Sequence, residues 1–312
     1  MKKLILIMIS IMTLLAGCSS SDSRSAVEVG GKLTVYTSMY PMNFLVSEIG
    51  GDMVSLKSVV PQGTDPHDYE PSMKTIADIE KADLFIYNGA GLEPWAEKVS
   101  SEIGDGKAME ASSYVELIDM DESHEEEEDN HEDEQGHGSK DPHIWLSIRN
   151  MDKIANEVKE KLSELDPENS ERYRENYESL SAKFSELDNR YMDELKNRTS
   201  NTILVSHSAF GYLARDYEIE QLSVAGVSPS SEPSPRTLSR LIDASKEKNL
   251  KYIYFETLAS PKSAEMISKE AELEPSVLNT VEGLTEENLA RGDNYITLME
   301  ENLENIKKEL LK

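Results

Sequence analysis

Between Asp166 and Arg198, the residues Tyr173, Tyr177, Leu180, Phe184, Leu187, Tyr191 and Leu195 recur at steps of three and four. That spacing lays a single apolar stripe along one helix. Asp166 can cap such a helix, and Pro167 suits its first turn. At a 1.5 Å rise, about 30 residues make a rod of about 45 Å, the width of a domain or more. The pattern on either side is different. Before the rod, KLTVYTS, MVSLKSVV and DLFIYNG read as strands. They are separated by the helical stretches PMNFLVSEIGG, stopped by Gly50 and Gly51, and SMKTIADIEKA, with Ser72 as N-cap. After it, NTILVSH, KYIYFET and SVLNTV read as strands. They alternate with the helices beginning at SAFGYLARDY, SPRTLSRLIDASKEKN and PKSAEMISKEAE, and GDNYITLMEENLENIKKELLK closes the chain. Strands alternating with helices imply parallel sheets. The fold class is therefore α/β: two Rossmann-like lobes joined by a long rigid helix, with a helix hairpin inside one domain as the alternative.

The N-terminus places further limits. MKKLILIMISIMTLLAGC has two lysines, an apolar run too short to cross a membrane, and small residues before Cys18. LAGC resembles a bacterial lipobox, which implies cleavage before Cys18 and a lipid on its sulfur. Cys18 is the only cysteine, so disulfides and cysteine metal sites are excluded. The expected organisation is a signal peptide over 1–17, a polar tether over 18–31, a first lobe over 32–165, the linking helix over 166–198 and a second lobe over 199–312. A formal net charge of −28 argues against nucleic acid and anionic membrane surfaces as partners and favours cations.

Histidines carry the chemistry. The tripeptide Asp-Pro-His occurs twice, ending in His67 and in His143. Proline fixes its own φ and extends the residue before it, so each histidine sits on stiff, non-helical backbone. Asp65 and Asp141 can either orient the imidazoles or cap the local turns. His207 ends the strand TILVSH, where open α/β sheets bind ligands. Glu282 and Glu256 each lie near the end of a later strand, and both are candidates for a fourth ligand. Three imidazoles and a carboxylate suit Zn²⁺, and four protein ligands leave no position at which water is activated. No H-E-x-x-H helix, G-x-S-x-G elbow or Walker-A loop is present, so no enzyme is indicated.

Taken together, VPQGTDPHDYEPS, DPHIWLS, VSHSAFGYLA, FETLASPKSAE and VEGLTEEN resemble the zinc-specific substrate-binding lipoproteins of bacterial ABC importers, the ZnuA/AdcA type. The resemblance runs from Lys32 to the C-terminus. It implies a metal held between two lobes by His67, His143, His207 and Glu282, and His207 in place of an acid argues for zinc over manganese. It also implies an ABC permease with its ATPase as partner, a monomer, and an extracytoplasmic position anchored by lipid on the outer face of the cell membrane. The absent cysteine pair fits a Gram-positive origin. Ile148 departs from the family's usual proline and changes how the next helix starts. Segment 121–138 holds ten acids and three histidines, His124, His131 and His137, and no apolar residue. It is expected to be a disordered zinc collector beside the main site. Rival expectations are a manganese protein of the same fold, a surface adhesin with structural zinc, and a zinc hydrolase.

Overall fold

A computed structural model of the chain describes residues 31–104, 106–120, 140–230, 233–257 and 262–312. Cys18, the signal and tether segments up to residue 30, and His124, His131 and His137 lie outside the described residues. Among those described, no helix is long and apolar enough to cross a membrane.

The first lobe runs β1 (Leu33–Thr37), α1 (Tyr40–Gly50), β2 (Val54–Ser58), α2 (Met73–Ile79), β3 (Leu84–Tyr87), α3 (Pro94–Glu102) and β4 (Ala108–Glu110). Its sheet is parallel in the order β2-β1-β3-β4, with Val35 opposite both Leu56 and Leu84. α1 stops where Gly51 takes φ 49°, a left-handed value that glycine adopts without a Cβ penalty. Ser72 caps α2 by accepting from the Thr75 N–H, as its sequence position implies.

Two helices follow, α4 (Ile148–Leu165) and α5 (Ser170–Leu195). The second lobe contains β5 (Thr202–His207), α6 (Gly211–Asp216), β6 (Glu220–Ala225), α7 (Pro235–Glu247), β7 (Tyr252–Phe255), α8 (Lys262–Glu270), β8 (Glu274–Val277), α9 (Glu286–Arg291) and α10 (Tyr295–Leu310). Its parallel sheet has the order β6-β5-β7-β8, the same winding as the first.

α5 spans 26 residues, about 39 Å at 1.5 Å each. Asp166 does not cap it. A 3-10 turn over Pro167–Asn169 intervenes, and the Asp166 carboxylate instead accepts from Tyr173 Oη and Asn169 Nδ2, at 2.8 and 2.7 Å. Of the apolar stripe, Tyr173, Leu180, Phe184, Leu187, Tyr191 and Leu195 are buried, and Tyr177 is half-buried. Near its N-terminal half, Asn176 Nδ2 donates to Ile49 O of α1 at 2.9 Å. Near its C-terminal end, Tyr191 Oη donates to Met299 O of α10 at 2.5 Å. Between these points Phe184 meets Phe44 of α1 and Tyr295 of α10, with ring centroids 6.4 and 5.8 Å away, and those two rings stack at 5.5 Å. Such aromatic pairs contribute about 0.5–1.5 kcal/mol each beyond area burial. The main apolar core is accordingly continuous through both lobes behind the sheets, while smaller clusters cover the outer face of each sheet.

The strand expected at SVLNTV is displaced. β8 is Glu274–Val277; the Leu278 N–H still donates to Phe255 O of β7, and beyond it the chain leaves the sheet because one side chain of α10 claims the next backbone groups: Asn302 Oδ1 accepts from Asn279 N, and Asn302 Nδ2 donates to Asn279 O, both at 2.8 Å.

Candidate metal centre

The two Asp-Pro-His turns fold alike in the backbone. Asp65 Oδ1 accepts from the His67 N–H, and Asp141 Oδ1 from the His143 N–H, each at 2.9 Å. The first follows β2 and the second follows β4, the two edge strands of their sheet. They differ at the ring. Asp141 Oδ1 also lies 2.8 Å from His143 Nδ1, so it accepts a hydrogen bond from the Nδ1–H tautomer, which leaves the Nε2 lone pair facing inward. Asp65 serves its turn alone.

His207 ends β5, and Glu256 directly follows β7. These neighbouring strands flank the point where the winding of the second sheet reverses, the usual ligand crevice of such sheets. Glu256 Oε1 lies 2.5 Å from His207 Nδ1, and Ser206 Oγ donates to the same carboxylate. Glu256 thus stands behind His207, on the Nδ1 side of its ring and away from the Nε2 atom that faces His143. Its place at the strand crossover is the signal that assigns it this supporting part.

Glu282 lies beyond the end of β8, on the loop that leaves the sheet. Its carboxylate reaches the three rings: Oε1 is 3.6 Å from His67 Nε2 and 3.9 Å from His143 Nε2. His143 Nε2 is 3.3 Å from Nε2 of both His67 and His207. One ligand atom from each of the four residues falls within 4.8 Å of all the others. A tetrahedron with nitrogen ligands at ~2.0–2.1 Å from its centre has edges of about 3.3–3.4 Å, so two of these separations already match one. His143, His207 and Glu282 are sealed from solvent, and the His67 side chain, 9% exposed, forms the mouth.

The charges are set for a cation. Burial and the neighbouring His207 and His67 hold His143 well below the usual imidazole range, so it stays neutral. Burial pulls His67 down, but contact with the Glu282 carboxylate outweighs it and leaves His67 raised. Burial pushes Glu282 up, yet the contact with His67 and its charge lead the effects that bring it below its ordinary value. Burial raises Asp141 to about 7 against the opposing bond from the His143 N–H. Glu282 Oε1 has no hydrogen-bond partner although it is buried. A buried, unsatisfied carboxylate oxygen facing imidazole nitrogens is costly unless something charged engages it. Three neutral nitrogens and one anionic oxygen suit a divalent ion of borderline softness.

Several supporting residues carry no sequence signal. Asn88 Nδ2 holds the second turn by donating to Pro142 O at 2.8 Å. Tyr212 Oη donates to Asp141 O at 2.7 Å across the lobes. Gln62 Oε1 accepts from the Leu284 N–H at 3.1 Å beside Glu282.

Two parallel α/β lobes that bring four such side chains around one buried point form a site that could hold a metal ion. The chain belongs to the family described as zinc-uptake complex component A, periplasmic, whose model matches residues 35–309. As a member it is a solute-binding component of an uptake system and not an enzyme. It is 37% identical over 301 residues to the high-affinity zinc uptake system protein ZnuA of Bacillus subtilis, covering 96% of this chain and 94% of that one. It is 34% identical over 310 residues to the zinc-binding lipoprotein AdcA of Streptococcus pneumoniae, but spans only 61% of that protein. The crystal structure of the Zn(II)-bound ZnuA-like domain of AdcA superposes with a TM-score of 0.76 at 33% identity, covering 90% of this chain and 100% of that one. The laminin-binding protein Lmb of Streptococcus agalactiae, described as bifunctional with adhesin and metal transporting activity, gives a TM-score of 0.77 at 29% identity, covering 89% and 99%.

Proposed function

We propose that this chain captures Zn²⁺ with His67, His143, His207 and Glu282 and presents it to an ABC permease driven by its ATPase. The convergence of three Nε2 atoms and one partnerless carboxylate oxygen in a buried point is the observation that carries this reading. The donor set favours zinc over manganese, which prefers more oxygen ligands. A lipid on Cys18 keeps the protein at the outer face of the cell membrane, where it acts as a monomer, and the tether over 18–31 gives it reach. The acidic, histidine-bearing segment 121–138 gathers zinc weakly. The test is a zinc-loaded crystal with anomalous scattering at the zinc edge, joined to competition between Zn²⁺ and Mn²⁺. One peak bonded to these four side chains, and preference for zinc, are expected. A peak elsewhere, or manganese outcompeting zinc, would overturn the assignment. Gene loss is expected to stop growth in zinc-poor medium, and undiminished growth would favour adhesion as the primary role.

A further inference from the structure

The loop that carries Glu282 is held in a conformation it would not adopt alone. Val281 has φ 56°, a left-handed value that is rare for a β-branched residue, and it is fully buried. Side chains from outside the loop hold the peptides on both sides of it. Trp145 Nε1 donates to Thr280 O at 2.7 Å, immediately before Val281. Gln62 Oε1 accepts from the Leu284 N–H beyond it. Within the loop, Asn279 Oδ1 accepts from the Val281 N–H at 2.7 Å. Trp145 is itself fully buried and doubly fixed: its carbonyl accepts from Tyr295 Oη at 2.6 Å, and its ring lies 5.3 Å from that of His143. The 3-10 turn Ile144–Leu146, which follows His143 directly, carries it.

We propose that Trp145 is the positioning residue for the fourth ligand: its indole N–H clamps the strained Thr280–Val281 peptide and so keeps the Glu282 carboxylate beside the three histidines. This rests on the zinc site proposed above. Trp145 does not touch the ion. It joins His143 and Glu282 through one rigid side chain, so ligands from the two lobes are placed by the same short segment. Without the indole N–H, Val281 relaxes toward negative φ and rotates Glu282 away, leaving three imidazoles and a position for water. A strained residue of this kind is equivalent to about a 5- to 150-fold change in affinity.

The test is a set of zinc affinities by chelator competition on the full chain, with cobalt(II) absorption as a second readout of coordination number. Trp145→Phe is expected to weaken zinc 5- to 150-fold and to lower the intense absorption of four-coordinate cobalt. Glycine adopts φ 56° without strain, so Trp145→Phe combined with Val281→Gly is expected to regain most of the affinity and the cobalt spectrum. A packing role for Trp145 predicts no such rescue. In a Glu282→Ala background, Trp145→Phe is expected to change zinc affinity less than twofold. Wild-type affinity in Trp145→Phe, failure of rescue in a variant that still melts cooperatively, or full additivity with Glu282→Ala would each overturn the proposal. The zinc-site reading fails separately, if His143→Ala binds zinc as the wild type does.

Discussion

Gly211→Ala sets two physical effects against each other. Gly211 opens α6, and helix propensity alone predicts that alanine stabilises the protein by up to about 1 kcal/mol. The surroundings predict the reverse for metal binding. A Cβ at 211 would stand 2.5 Å from Asp141 Oδ2 and 3.0 Å from Ile118 Cδ1. The first separation is about 1 Å inside an optimal contact. A free carboxylate would swing aside, but Asp141 has little room. It is 4% exposed, its Oδ1 is engaged by both the N–H and the Nδ1 of His143, and its own carbonyl is held by Tyr212. A displacement of about 1 Å stretches the 2.8 Å contact with Nδ1 beyond hydrogen-bonding range. Losing the partner that orients a ligating histidine typically costs 10- to 100-fold in metal affinity, about 1.4–2.7 kcal/mol. Zinc affinity by chelator competition, measured beside a thermal melt of the metal-free protein, separates the two effects. Asp141→Asn calibrates the loss, and adding Gly211→Ala to it is expected to cost little more. Wild-type affinity in Gly211→Ala would refute the argument that Asp141 is pinned.

Two other outcomes follow from the site and the sequence. Metal binding displaces protons from imidazoles, and His67 is the raised one, so zinc affinity is expected to begin falling while the pH is still above about 6.5. In the metal-free protein the same shift acts oppositely: protonated His67 beside Glu282 adds stability below about pH 6.5 that is lost as pH rises through the raised value. Affinity that stays flat down to pH 6, or a His67 ring signal titrating below that of free histidine, would contradict both statements. Deleting 121–138 is expected to leave one tight zinc site per chain by calorimetry and to remove only weaker binding. Loss of the tight site would mean that the four buried ligands do not suffice.

Local periodicity made the architecture legible. The three-and-four spacing from Tyr173 to Leu195 marks a face that is buried, and runs such as LTVYT and TILVSH are buried strands of parallel sheets. Errors fell where a tertiary contact outbid a local preference. Asp166-Pro167 is a good helix start in isolation, but Tyr173 and Asn169 take the aspartate, and a 3-10 turn fills the gap. Ser276 to Val281 has strand-like composition, but Asn302, distant in sequence, takes the Asn279 backbone and pulls the chain off the sheet. β4 and β6 carry no clear strand pattern in the sequence. β4 is a three-residue strand, and the polar start of EQLSVA hides the strand at Glu220.

The candidate site was legible to a different depth in each shell. Stiff backbone and strand ends are local properties, so His67, His143 and His207 stand out in the chain and are found together in space. The carboxylates are not local in this sense, because the chain carries sixty acidic residues and composition cannot rank them. Their roles are set by which strand lies beside which. β7 runs next to β5, so Glu256 falls behind His207, whereas the loop after β8 swings Glu282 round to the Nε2 side. A carboxylate exchanged between those two positions would keep the motif and lose the site. The decisive information is therefore strand order together with the Val281 backbone, and neither is written in any short stretch of the sequence. The groups that surround these four side chains, Trp145, Gln62, Asn88 and Gly211, meet their neighbours 54 or more residues away in the chain, and for that reason only the folded arrangement discloses them.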